Sequence, residues 1–65
     1  MDKKTNYAGM TVNERLFVSG QLERFEQAAR QHDRATMLEI YKSIDVEDSE
    51  RCVDTILANP TKYGF

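Results

Sequence analysis

At 65 residues the chain has room for one domain. A domain of that size buries only about 60% of the surface its unfolded chain exposes, so it needs an efficient core, a staple or a partner. A single cysteine, Cys52, excludes an internal disulfide, and with His32 as the only other soft ligand a structural zinc site cannot be built from one chain. The formal charge is -2, and the second half is the acidic one, so neither half has the basicity of a default nucleic-acid binder.

Residues 1–10 are polar and read as an extended N-terminal arm ahead of a single helical domain over 11–65, with Tyr7 and Met10 able to dock it. The start has no apolar h-region, which argues against a signal peptide. No apolar run approaches the ~20 residues of a membrane span. Together with the free thiol this gives the expectation of a cytoplasmic protein without membrane contact.

Thr11-Val12-Asn13-Glu14 matches a capping box and opens a helix over about 12–19, with Val12, Leu16 and Phe17 as its apolar side. Ser19-Gly20 interrupts it. The spacing Val18, Leu22, Phe25, Ala29 also suits an unbroken helix, but the glycine favours a break or kink at Gly20. A second helix over about 21–32 places Leu22, Phe25, Ala28 and Ala29 on one face, and sets Glu26 and Arg30 at the favourable i, i+4 spacing. Asp33 is placed to cap a third helix over about 34–44. Its Ala35, Met37, Leu38, Ile40, Tyr41 and Ile44 cover more than half of its surface, as suits a central helix. Asp45 or Asp48 caps a fourth helix over about 47–58, with Cys52, Val53, Ile56 and Leu57 inward and Asn59-Pro60 as its stop. Thr61 to Phe65 form a short aromatic tail expected to fold back. No strand or hairpin signal is present. The expected fold is therefore all-α, a compact bundle of three to four short helices with Phe17, Phe25 and Tyr41 in the core.

Chemistry-bearing residues are few. His32, at a helix end beside Asp33, reads as a helix-terminal polar residue rather than a general base. Cys52 falls on an apolar face and reads as a structural thiol. Asp45, Glu47, Asp48, Glu50 and Asp54 lack the glycine and the closing glutamate of a calcium loop. They read as capping and solvated acids, or as a negative patch steering a basic partner. Residues 34–58 have helix-turn-helix proportions, but an acidic start to the second helix would repel phosphates. Arg15, Arg24, Arg30 and Arg34 are interleaved with acids. No phosphate-binding glycine pattern exists.

The run from Tyr7 to Leu16, GMTVNERL at its centre, followed by Gly20, resembles the start of a group of short bacterial helical proteins of uncharacterised activity. The ending from Ile56 to Phe65, ILANPTKYGF, is similar to their ends. The resemblance implies a compact helical protein and supplies no catalytic or binding residues. An immunity partner of a toxin is an analogy at the level of size and shape alone.

These readings combine into an expectation of a non-enzymatic protein-protein interaction module of immunity, inhibitor or adaptor type, with no cofactor, no metal and no catalytic residue. Its partner-binding candidates are Asp45, Glu47, Asp48, Glu50, Asp54, Tyr63 and Phe65. A homodimer is compatible with the size argument. The alternative is a nucleic-acid-binding regulator using arginines of the second helix.

Overall fold

The computed structural model describes residues 7–65 and builds them into four α-helices and a terminal turn of 3-10 helix. The helices are α1 (Val12–Val18), α2 (Leu22–Arg30), α3 (Arg34–Ser43) and α4 (Ser49–Ala58), followed by the 3-10 turn Pro60–Tyr63. Neighbours in sequence pack on one another, α1 on α2, α2 on α3 and α3 on α4, and the 3-10 turn closes onto α4. The third helix is therefore central, as its broad apolar surface demands.

The capping box at Thr11 forms in full. Thr11 Oγ1 accepts the Glu14 N–H at 3.1 Å and Glu14 Oε1 accepts the Thr11 N–H at 2.9 Å. Asp33 caps α3, accepting the Thr36 N–H at 3.3 Å and the Thr36 hydroxyl at 2.7 Å. The fourth helix departs from expectation. It begins at Ser49, two residues late, and neither Asp45 nor Asp48 caps it through a side chain. Asp45 instead ends α3 and Asp48 holds the N-cap position, both in the left-handed region (φ 62° and 54°). The buried Ser49 hydroxyl turns back to donate to Val46 O at 2.7 Å.

One closure recurs at four helix ends. The α1 end breaks at Gly20, where the Gly20 and Gln21 N–H groups reach back to Phe17 O and Leu16 O. The same pair of bonds, spanning three and five residues, closes α2 at His32-Asp33, α3 at Asp45-Val46 and the 3-10 turn at Gly64-Phe65. Each closure needs a left-handed residue at its pivot. Gly20 (φ 76°) and Gly64 (φ 89°) adopt that conformation freely, whereas His32 (φ 56°) and Asp45 adopt it against their Cβ.

The core is Leu16, Phe25, Ala28, Ala29, Met37, Ile40, Tyr41, Ile44, Val53 and Ile56. The Phe25 and Tyr41 rings stack at 4.6 Å with planes 5° apart, and Phe65 packs edge-on against Phe25 at 6.1 Å. The tail thus folds back through Phe65. Ala28 and Ala29 let α2 approach α3 closely, since neither projects beyond a methyl group. Phe17 corrects the expectation of a core aromatic. It is 74% exposed, because α1 packs mainly on α2 and the turn that buries Leu16 aims Phe17 about 100° away. Val18 is half exposed for the same reason, and Ala35 lies on the outer face of α3.

Residues 7–10 form a turn closed by the Met10 N–H on Tyr7 O, and Tyr7 packs against the core. They are not extended. The remainder of the expected arm lies outside the described residues. Met10 does engage Arg15, through its carbonyl, which accepts the Arg15 Nε–H at 3.2 Å. Among the described residues no helix is long and apolar enough to cross a membrane.

Candidate functional site

Two clefts of about 420 Å³ each meet along one side of the bundle. They share Asn13, Tyr41, Ile56 and Tyr63, so the Tyr63 side is a common wall. The first runs over Leu16, Leu22 and Phe25 to Glu26, Arg30 and Phe65. The second lies between α1 and α4, with Thr11, Val12, Arg51, Cys52 and Thr55 completing it. This is the size range of ordinary ligand clefts.

The floor of both clefts is Tyr41, 5% exposed. Its ring is fixed by the Phe25 stack. No described group bonds its hydroxyl. Every fully buried side-chain nitrogen or oxygen among the described residues has a partner, so this hydroxyl keeps its access to the cleft. Burial pushes its pKa up to about 12, with smaller contributions from the Cys52 thiol and Tyr63. The group is therefore a neutral O–H at physiological pH. Cys52 is half-buried at the rim of the core, its thiol 3.9 Å from Glu47 O. Thr55 is committed to its own helix, donating to Arg51 O at 2.8 Å.

The acidic residues fall into two groups. Asp45, Glu47, Asp48 and Glu50 are exposed around the α3–α4 turn. Asp54 is set apart: Arg34 holds it with Nε–Oδ1 at 2.7 Å and Nη2–Oδ2 at 3.3 Å. The Arg34 hydrogen bonds keep the Asp54 carboxyl below its ordinary pKa, and Asp54 raises that of Arg34. Among the described residues no group of three His, Cys, Asp or Glu is placed to hold a metal.

Arg15, Arg24, Arg30 and Arg34 are engaged within the molecule. Arg24 meets Glu39 at 3.4 Å, Arg30 meets Glu26 at 3.9 Å, and Arg34 meets Asp54. Arg15 reaches the carbonyls of Met10, Ile44 and Asp45. The exposed pairs are energetically minor, but each neutralises the local field that would draw a phosphate. Arg51 makes no ion pair with any described residue, and it stands at the mouth of the second cleft and beside Asp48 and Glu50.

Of the sequence candidates, Tyr63 lines both clefts and Phe65 the first, whereas none of the acids Asp45, Glu47, Asp48, Glu50 and Asp54 lines either; Asp48 and Glu50 come nearest, beside Arg51. Sequence reasoning did not foresee Asn13, Tyr41 or Arg51 as cleft residues, because they come from α1, α3 and α4 and only the folding of these helices brings them to one opening. It also placed Phe17 inside, whereas Phe17, Val18 and Tyr63 are the large apolar side chains left exposed among the described residues. Phe17 lies one helical turn beyond Asn13, on the same side of α1. Comparison of the chain with protein-family models, with curated proteins and with solved structures finds no match to any of them.

Proposed function

We propose that this is a non-enzymatic helical module that binds another protein, through the face that carries Phe17 on α1 and Tyr63 on the 3-10 turn. The observation that carries the reading is the 74% exposure of Phe17 on a chain short of apolar core. Exposed aromatics beside concave apolar surface are the residues that dominate protein interfaces. The exposed acids Asp45, Glu47, Asp48 and Glu50 contribute differently: they favour a basic partner and speed its encounter without supplying much affinity. An immunity, inhibitor or adaptor role suits such a surface, in the cytoplasm of a bacterium.

The nucleic-acid alternative receives less support, since the arginines of α2 sit in pairs with Glu26 and Glu39. The test is affinity capture from cells of the source organism, with the wild-type chain, Phe17→Glu and Glu47→Gln as baits. A stoichiometric protein retained by the wild type and by Glu47→Gln, and lost with Phe17→Glu, is the expected result. A stoichiometric partner held equally by Phe17→Glu, or nucleic acid recovered in its place, overturns the reading.

A further inference from the structure

The second cleft combines features that protein docking by Phe17 does not use. A buried tyrosine ordinarily finds a partner for its hydroxyl, because an unmade hydrogen bond in a dry site is costly. Tyr41 is only 5% exposed and lines the cleft, and its hydroxyl, which has no partner among the described residues, lies within electrostatic reach of the cleft's Cys52 and Tyr63. The walls around it are apolar, from Val12, Ile56 and the Tyr63 ring. The Thr11 and Thr55 hydroxyls and the Cys52 thiol in its lining each meet backbone groups, whereas the Asn13 amide bonds no described group and the Arg51 guanidinium makes no ion pair with one. Donors thus outnumber acceptors, on an apolar surface, with a cation at the entrance.

We propose that the α1–α4 cleft is a binding site for a small carboxylate with an apolar body, such as an arylalkanoic or medium-chain aliphatic acid. The apolar body lies against Val12, Ile56 and Tyr63. The carboxylate accepts from the Tyr41 hydroxyl and the Asn13 amide and faces Arg51. Charge selects the ligand class: the donor set and the guanidinium favour an anion over the corresponding amine. The neutral state of Tyr41 matters here, since only the O–H form donates.

The experiment is an NMR titration of the isotopically labelled full chain with 4-phenylbutyrate, and with 4-phenylbutylamine as the charge-reversed control. Saturable shifts at Asn13, Tyr41, Cys52 and Tyr63 with the acid, and none with the amine, are expected. Tyr41→Phe deletes an oxygen that holds no protein partner, so the variant folds as the wild type does and weakens the acid about tenfold. Arg51→Gln weakens it several-fold. Phe17→Ser leaves it unchanged, because Phe17 lines neither cleft, and this separates the site from the protein-binding surface. No saturable shift at about 1 mM acid, equal binding of acid and amine, or an unchanged affinity in Tyr41→Phe overturns the proposal.

Discussion

Arg15 joins α1 to the turn before it and to the end of α3. From α1 its Nε donates to Met10 O at 3.2 Å, and one terminal nitrogen donates to Ile44 O at 3.3 Å and Asp45 O at 3.0 Å, some thirty positions along the sequence. Those last two carbonyls belong to the end of α3, where helix carbonyls lack intrahelical partners and a cation is favoured. Replacing Arg15 by Met keeps the stem and the helix propensity and removes all three bonds. A charge-assisted bond contributes about 1.5–3 kcal/mol when well buried, but these are half-open to water, so about 0.5–1 kcal/mol each is appropriate, or roughly 2 kcal/mol in all. A domain of this size has on the order of 3–10 kcal/mol of stability in total. The melting temperature should therefore fall by about 8–16 °C. Circular dichroism in a urea series reads the change as a lower midpoint at unchanged slope. Arg15→Lys should recover only part of the loss, because a single ammonium cannot span carbonyls in three directions. A loss below about 0.5 kcal/mol in Arg15→Met, on the scale of an ordinary surface substitution, would refute the view that this side chain ties α1 to the α3–α4 turn.

Tyr41 makes alkaline stability a further test. Its folded pKa of about 12 stands above the ordinary 10, so the stability it confers is intact below pH 10 and declines as pH rises from 10 towards 12; Tyr41→Phe should flatten that decline in a pH series of thermal melts. At the acid end, the Thr36 hydroxyl and N–H hold the Asp33 carboxyl below its ordinary 3.8. Its contribution is present above that value and is lost as pH falls through the lowered one, and Asp33→Asn, which retains a cap acceptor, should remove this part of the acid dependence. His32→Gly should raise stability by about 0.5–1 kcal/mol, through relief of a left-handed pivot offset by the flexibility of the unfolded chain; a loss of stability on thermal melting would show that the imidazole makes contacts beyond its place at the helix end.

Much of the fold was readable because it is local. The capping box at Thr11 is complete within four residues, the Asp33 cap within another four, and the α2 face of Phe25, Ala28 and Ala29 repeats at helical spacing. The break at Gly20 was readable for the same reason, since glycine alone enters the left-handed region without cost. His32 and Asp45 were also legible as helix boundaries, but their left-handed backbone was not, as neither residue type demands that conformation. Phe17 was misplaced because composition gives its hydrophobicity, while its direction depends on which sides of α1 are covered. The acidic candidates were legible as a run of charges, but the withdrawal of Asp54 into a pair with Arg34 required knowing that α3 and α4 run side by side. The cleft was illegible as a unit. Asn13, Tyr41 and Arg51 come from three helices, and only their packing puts them around one opening.

The placement of polar groups argues for a division of labour across the surface. Three of the four arginines considered for a basic face are spent on acids, and the fourth is turned onto backbone carbonyls, so the positive charge of α1 to α3 stabilises local geometry. The acids of the α3–α4 turn make no ion pair with a described residue, although Lys42 and Arg51 stand near Asp48 and Glu50, and Asp45 and Asp48 hold strained left-handed positions there without making any side-chain cap. Stability alone would favour glycine or asparagine at such pivots. Acids at both positions trade stability for surface charge, and on the proposed binding reading the strain falls where a basic partner would approach. Substituting both with Asn keeps residues that tolerate the left-handed region and removes only the charge. That double variant should raise the melting temperature slightly and, on the proposed binding reading, slow association with a basic partner while leaving unchanged a dissociation rate set by Phe17 and Tyr63. A changed dissociation rate measured by surface plasmon resonance would place the acids inside the contact rather than at its margin.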